Sequence, residues 1–104
     1  MVNPAIIETL KNYILLIPDD LGIKKAYLFG SFAKGSERED SDIDIALILE
    51  NMPDFFSTQM LLMRLRRKID LRIEPHPISI HDFNLSNPFA YEIQKTGIEI
   101  SVKD

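Results

Sequence analysis

Two aspartates separated by one isoleucine, Asp42 and Asp44, stand directly before the apolar run Ile45-Ala46-Leu47-Ile48-Leu49. The run, broken off by Asn51-Met52-Pro53, predicts a β-strand over Asp42 to Leu49. Residues i and i+2 of a strand share a face, with Cα atoms about 6.5 Å apart. Asp42 and Asp44 therefore project side by side, while Ile43 and Ile45 turn toward the core. Two neighbouring carboxylates beside an apolar sheet raise each other's pKa or strain the fold unless opposite charge is supplied. A divalent cation supplies it, and oxygen-only ligands of this kind suit Mg²⁺ or Mn²⁺. The plainer alternative is that both aspartates lie at the exposed start of the strand and are simply solvated.

A second acidic stretch bears on that choice. Ile69-Asp70-Leu71-Arg72-Ile73-Glu74 alternates apolar and polar residues, which predicts a two-faced strand ended by Pro75 and Pro77. Asp70, Arg72 and Glu74 then share its polar face. If this strand lies beside the second one with polar faces matched, Asp70 joins Asp42 and Asp44. Two of the three carboxylates can hold metal ions, and the third can also accept the proton of an attacking hydroxyl. Glu74 has the same facing and competes with Asp70 for the third place. A surface role on a half-exposed strand is the other reading of Asp70.

Upstream of the aspartates lies Gly30-Ser31, between the short apolar strand Lys24 to Phe29 and a short helix starting near Ser31. Glycine permits a sharp turn and close approach of a ligand to the backbone. Free amides at a helix start favour phosphate, Ser31 adds a hydroxyl donor, and Lys34 could neutralise phosphate charge. A phosphate cradle next to a metal pair is what nucleotidyl transfer needs.

The rest of the chain supplies the frame. Asn3-Pro4 marks a helix start, and Ile6, Ile7, Leu10, Ile14 and Ile17 recur at helical spacing until Pro18. Asp54 is an N-cap for a helix from about Phe55 to Lys68. Asn87-Pro88 opens another helix, Gly97 is suited to its C′ position, and Ile98, Ile100 and Val102 alternate as a final strand. The expected fold class is α/β (α+β): a small mixed sheet of about four strands with helices packed on it.

With 104 residues the chain suits a single domain, 1–104. A net charge of -4 argues against general nucleic-acid binding and leaves a single nucleotide as a partner. There are no cysteines, hence no disulfides or thiolate metal sites, which fits a cytoplasmic location. No apolar run approaches the roughly 18 residues of a membrane span, and the N-terminus lacks a signal-peptide pattern.

Three other features have two readings each. Phe55, Phe56, Met60, Leu61, Leu62, Met63 and Leu65 cover more than one stripe of their helix, so the surplus is either a partner surface or a second buried side. Arg64, Arg66, Arg67 and Lys68 complement the helix dipole or contact a partner. His76 and His81 read as loop residues, and Tyr13, Tyr27 and Tyr91 as packing residues.

Taken together, GSFAKGSEREDSDID is G-S, ten residues, then D-x-D. This resembles the signature of the DNA polymerase beta-like nucleotidyltransferase superfamily, and the chain length and flanking pattern are similar to its minimal nucleotidyltransferases. The resemblance runs from the first helix through YLFGS, SDIDIALIL and IDLRI to PFAYEIQKTGIEI. It implies the polymerase beta-like palm fold. It also implies that Gly30 and Ser31 hold the triphosphate, with Lys34 and Ser41 in the same nucleotide-binding motif. Asp42 and Asp44 would bind two Mg²⁺ ions, and Asp70 would be the third carboxylate, ligating the catalytic metal and helping to deprotonate the acceptor. Lys34 stands where relatives often have arginine, so it keeps the charge and loses bidentate pairing.

Minimal nucleotidyltransferases are often encoded beside a small HEPN-domain protein, for which they act as antitoxin by binding it or by transferring AMP from ATP to it. The resemblance therefore implies ATP or another nucleoside triphosphate as substrate and a HEPN toxin as partner and acceptor. Two alternatives stay open: a binding antitoxin whose chemistry is dispensable, and a homodimeric nucleotidyltransferase acting on a small molecule.

Overall fold

The computed structural model describes residues 2–102. Its elements are helix α1 (Pro4–Leu15), strand β1 (Ile23–Phe29), the one-turn helix α2 (Ser31–Lys34), strand β2 (Ile43–Leu49), helix α3 (Phe55–Leu65), strand β3 (Ile73–Ser79), helix α4 (Pro88–Thr96) and strand β4 (Ile98–Ile100). The order is the one expected. Side-chain caps set the helix starts. Asn3 Oδ1 accepts from the Ala5 amide at 2.9 Å, Asp54 Oδ2 from the Ser57 amide at 2.8 Å, and Asn87 Oδ1 from the Phe89 amide at 3.0 Å. Pro4 and Pro88 occupy first-turn positions, where a missing amide leaves no bond unmade.

The strands form one mixed sheet in the order β3-β2-β1-β4. β1 pairs antiparallel with β2 and β4, and β2 runs parallel to β3, with α3 in the crossover between them. One face presents Ala26, Leu28, Ile43, Ile45, Leu47, Leu49 and Ile73 to Leu10, Tyr13 and Ile14 of α1 and Leu62 of α3. The other presents Tyr27, Ala46, Ile48 and Ile78 to Ile93 of α4. β2 is thus covered on both sides, which explains its unbroken apolar character beyond Asp44. The Tyr13 hydroxyl ties α1 to α3 by donating to the Leu62 carbonyl at 2.8 Å, and burial pushes its pKa up.

The third strand departs from expectation. It begins at Ile73 rather than Ile69 and runs through Pro75 and Pro77 to Ser79. The reason is its place at the edge. The Ile43 amide donates to the Arg72 carbonyl at 2.8 Å, so alternation turns the backbone groups of Ile73, Pro75 and Pro77 outward. Proline is tolerated there because no ladder hydrogen bond is lost. Two outward carbonyls are claimed by helix side chains: Arg66 Nη1 donates to Ile73 O at 2.9 Å and Gln59 Nε2 to Pro75 O at 3.2 Å.

Smaller corrections follow. The final strand stops at Ile100, short of Val102. Gly97 is extended (φ -77, ψ 165) rather than left-handed; a β-carbon there would lie 2.5 Å from the Ile93 carbonyl oxygen, so the constraint is space. Tyr91 is exposed, with the Lys95 ammonium 5.8 Å from its ring centre, whereas Tyr13 and Tyr27 are core residues. On α3 the apolar surplus faces outward: Phe55, Phe56 and Met60 are 58%, 70% and 48% exposed, which removes the second buried side.

Candidate active site

A row of side chains crosses the α4 face of the sheet at one end. Phe29 is the ladder partner of Asp44, and Asp44 is the partner of Glu74. Neighbours across a sheet share a face, so Asp44 and Glu74 stand side by side, both half-buried. Asp42 lies one residue ahead of β2 and is exposed. Simple solvation of both aspartates therefore describes Asp42 but not Asp44.

Gly30 closes the row from the other side. It follows β1 with φ +77, and a β-carbon placed on it would lie 2.5 Å from Asp44 Oδ2. Only glycine reconciles this left-handed turn with the carboxylate next to it. α2 starts at Ser31, which is half-buried, and its first amides have no intrahelical acceptor. The fold therefore joins the glycine-serine turn to Asp44 as the spacing suggested. Lys34 is exposed at the other end of α2. The Ser41 hydroxyl accepts from the Arg38 amide at 2.8 Å and shapes the turn that leads into Asp42.

Asp70 is not in the row. It lies in the turn before β3, where Oδ1 accepts from the Arg72 amide at 2.9 Å and the Arg72 guanidinium reaches Oδ2 at 2.8 Å. The Arg72 hydrogen bonds hold the Asp70 carboxyl below its usual range. The same guanidinium stands 5.9 Å from the Phe32 ring centre, linking this turn to α2. The strand begins too late to carry Asp70 on its face, and the position level with Asp44 belongs to Glu74.

His76 is a site residue that sequence reasoning assigned to a loop. Its Nε2 lies 3.1 Å from Asp44 Oδ1, and its ring meets Phe29 edge-on at a centroid separation of 5.0 Å. Phe89, from the start of α4, packs on Phe29 at 5.5 Å and lies 6.3 Å from His76. The missed signal was the alternation Glu74, His76, Ile78, hidden because Pro75 and Pro77 read as terminators. His81 lies outside the strands, in the 3₁₀ turn Ile80–Asp82.

Asp42, Asp44 and Glu74 offer only oxygen, which suits a hard divalent cation. Among the described residues no three acidic, histidine or cysteine side chains form a closed metal cage. Asp42 and Asp44 are the residues that would hold the cation.

Comparison with known proteins places the chain in a family. Residues 5–104 match the family model described as polymerase beta, nucleotidyltransferase. Over 98 residues the chain is 30% identical to MJ0141 of Methanocaldococcus jannaschii, which is named as a protein adenylyltransferase; the match covers 91% of this chain and 95% of that one. A second protein so named from that organism, MJ1379, is 32% identical over 69 residues, covering 64% and 69% of the two chains. Among solved structures, a toxin–antitoxin crystallised with AMP-PNP superposes with a TM-score of 0.65 at 19% identity, covering 94% of this chain and 74% of that one. A Sulfolobus solfataricus protein described as a nucleotidyltransferase superposes with a TM-score of 0.64 at 16% identity, covering 92% and 79%. These two share the fold. With the family model spanning nearly the whole sequence and the glycine-serine turn set against Asp44, the chain belongs to the polymerase beta nucleotidyltransferase family.

Proposed function

We propose that the protein transfers a nucleoside monophosphate, AMP from ATP, to a hydroxyl of a partner protein of the HEPN type, and thereby acts as its antitoxin in the cytoplasm. The observation that carries the reading is the close approach of Gly30 to Asp44 beside Glu74, which sets the glycine-serine turn against a carboxylate row. The names of the M. jannaschii relatives and of the toxin–antitoxin with AMP-PNP support the choice of adenylyl transfer and of a toxin partner.

Each residue has a task in this reading. The turn at Gly30 and Ser31 holds the β- and γ-phosphates. Asp42 and Asp44 would hold Mg²⁺ (or Mn²⁺), which would supply positive charge where negative charge develops on the phosphates. The acceptor oxygen bonds to the α-phosphorus as the α–β bridging P–O bond breaks and pyrophosphate leaves. The hydroxyl proton passes to a carboxylate, for which Glu74 is better placed than Asp70 because Arg72 already engages Asp70. Ser41 supports the approach to Asp42 through its turn, and Lys34 adds positive charge at the outer end of α2.

The test is incubation of the purified protein with each nucleoside triphosphate, Mg²⁺ and the candidate partner, followed by intact mass. A gain of one nucleoside monophosphate on the partner, absent with Asp42→Asn, is the expected result. A stable complex without any gain would favour the second reading, an antitoxin that acts by binding alone. That reading draws on the outward Phe55, Phe56 and Met60.

A further inference from the structure

We propose that the cavity at the free edge of β3 is the acceptor pocket, and that it takes an uncharged, apolar segment of a protein rather than a nucleic-acid end. The proposal rests on the nucleotidyl-transfer reading and assigns the half of the site which that reading leaves open.

The order of parts across the sheet gives the direction. The phosphate turn follows β1, Asp44 lies on β2, and Glu74 and His76 lie on β3, at the edge. In an in-line displacement the leaving pyrophosphate and the attacking oxygen stand on opposite sides of the α-phosphorus. With pyrophosphate on the β1 side, the hydroxyl must arrive from the β3 side.

A cavity of about 400 Å³ lies there, reaching around the edge from α3 to the start of α4. His76 belongs to both the cavity wall and the carboxylate row, so the two are continuous. Phe55, Pro75, Pro77 and Phe89 make its walls largely apolar. The wall has one formal charge, Asp82, and no lysine or arginine. A polynucleotide or phosphorylated acceptor would meet Asp82 with no lysine or arginine in the wall to offset its charge. An uncharged apolar segment meets a matching wall. Gln59, also in the wall, has an Oε1 shut off from solvent with no donor, a buried acceptor the chain alone leaves unpaired.

The edge also restricts how the segment binds. Pro75 and Pro77 present no amide, and the carbonyls of Ile73 and Pro75 are already bonded to Arg66 and Gln59. A partner strand cannot extend the sheet here. The occupant inserts side chains and delivers its hydroxyl past His76 toward Glu74.

The test uses the isotopically labelled full chain with Mg²⁺ and a non-hydrolysable ATP analogue, followed by NMR. The probes are N-acetyl-Phe-Ser-Leu-amide, its phosphoserine counterpart, hexauridylate and kanamycin. The neutral peptide is expected to shift the Gln59 side-chain amide and the Phe55 and Phe89 backbone amides, with saturation. Phe55→Ser, at an exposed position that tolerates polarity, is expected to weaken this binding about fivefold while its melting curve shows a folded protein. Peptide shifts that avoid the cavity, or its occupation by hexauridylate, the phosphopeptide or kanamycin instead, would overturn the proposal. Failure of the nucleotide reading is seen separately, as no shift of the Gly30 and Ser31 amides on adding the Mg²⁺ analogue; the peptide titration without nucleotide still reports on the pocket.

Discussion

Gly30 and Asp44 share one space: a β-carbon on the glycine would sit 2.5 Å from the aspartate Oδ2. Gly30→Ala therefore meets two penalties, a left-handed backbone (φ +77) and a displaced carboxylate. The expected result is a stability loss of about 1–3 kcal/mol by urea unfolding, with nucleotide affinity and transfer both reduced. Wild-type affinity in the alanine variant would show that the turn and Asp44 act independently.

Glu74 and Asp70 are separable by substitution. Glu74→Gln keeps the shape of the row and removes its proton acceptor, so transfer should fall about 10²–10⁴-fold with nucleotide binding retained. Asp70→Asn loosens a surface turn and should leave most of the transfer. Single-turnover rates on both variants decide; the reverse ranking would return the third-carboxylate role to Asp70.

The same aspartate has a pH signature. Its folded pKa is depressed by the Arg72 hydrogen bonds, so its stabilising contribution is present above the unfolded value, about 3.9, and is lost as pH falls through the lower folded value. Urea unfolding measured from neutral pH down to strongly acidic pH should therefore fall more steeply for the wild type than for Asp70→Asn. Parallel curves would show that the ion pair adds nothing to the folded state. Arg72 is half exposed, so solvent screens the pair from that side and the difference is small.

His76→Leu keeps an apolar body between Phe29 and Phe89 and deletes the contact to Asp44 Oδ1. Stability should change by less than about 1.5 kcal/mol, whereas affinity for Mn²⁺ with nucleotide should drop about 10–100-fold, as when a metal ligand loses its orienting partner. Calorimetric titration measures this. Unchanged affinity would reduce His76 to a packing residue.

Phe56 is 70% exposed and outside the carboxylate row. Phe56→Ser should leave stability within about 0.5 kcal/mol and nucleotide binding intact, while weakening any complex made through α3. Gel filtration with the partner would show it. A complex of unaltered strength would move the interface elsewhere.

What was legible in the sequence depended on how local the cause was. Asn3, Asp54 and Asn87 announce helices because their caps act within three residues. Asp42, Asp44, Gly30 and Ser31 were legible because their chemistry and spacing survive without the fold. β3 was displaced because Pro75 and Pro77 terminate a strand in any interior position and are harmless only at an edge, which is a tertiary fact. That one shift hid His76 and promoted Asp70 over Glu74. The outward turn of Phe55 and Phe56 was equally invisible, since an apolar helix face does not say what covers it.

The carboxylate row has a consequence for damaged copies of the protein. Phe29, Asp44, Glu74 and Phe89 come from four separate elements, and no stretch of a dozen residues holds even two of them. A chain ending before α4 would still carry Gly30, Asp44 and Glu74, and would lack Phe89 and the Ile93 cover over that face of the sheet.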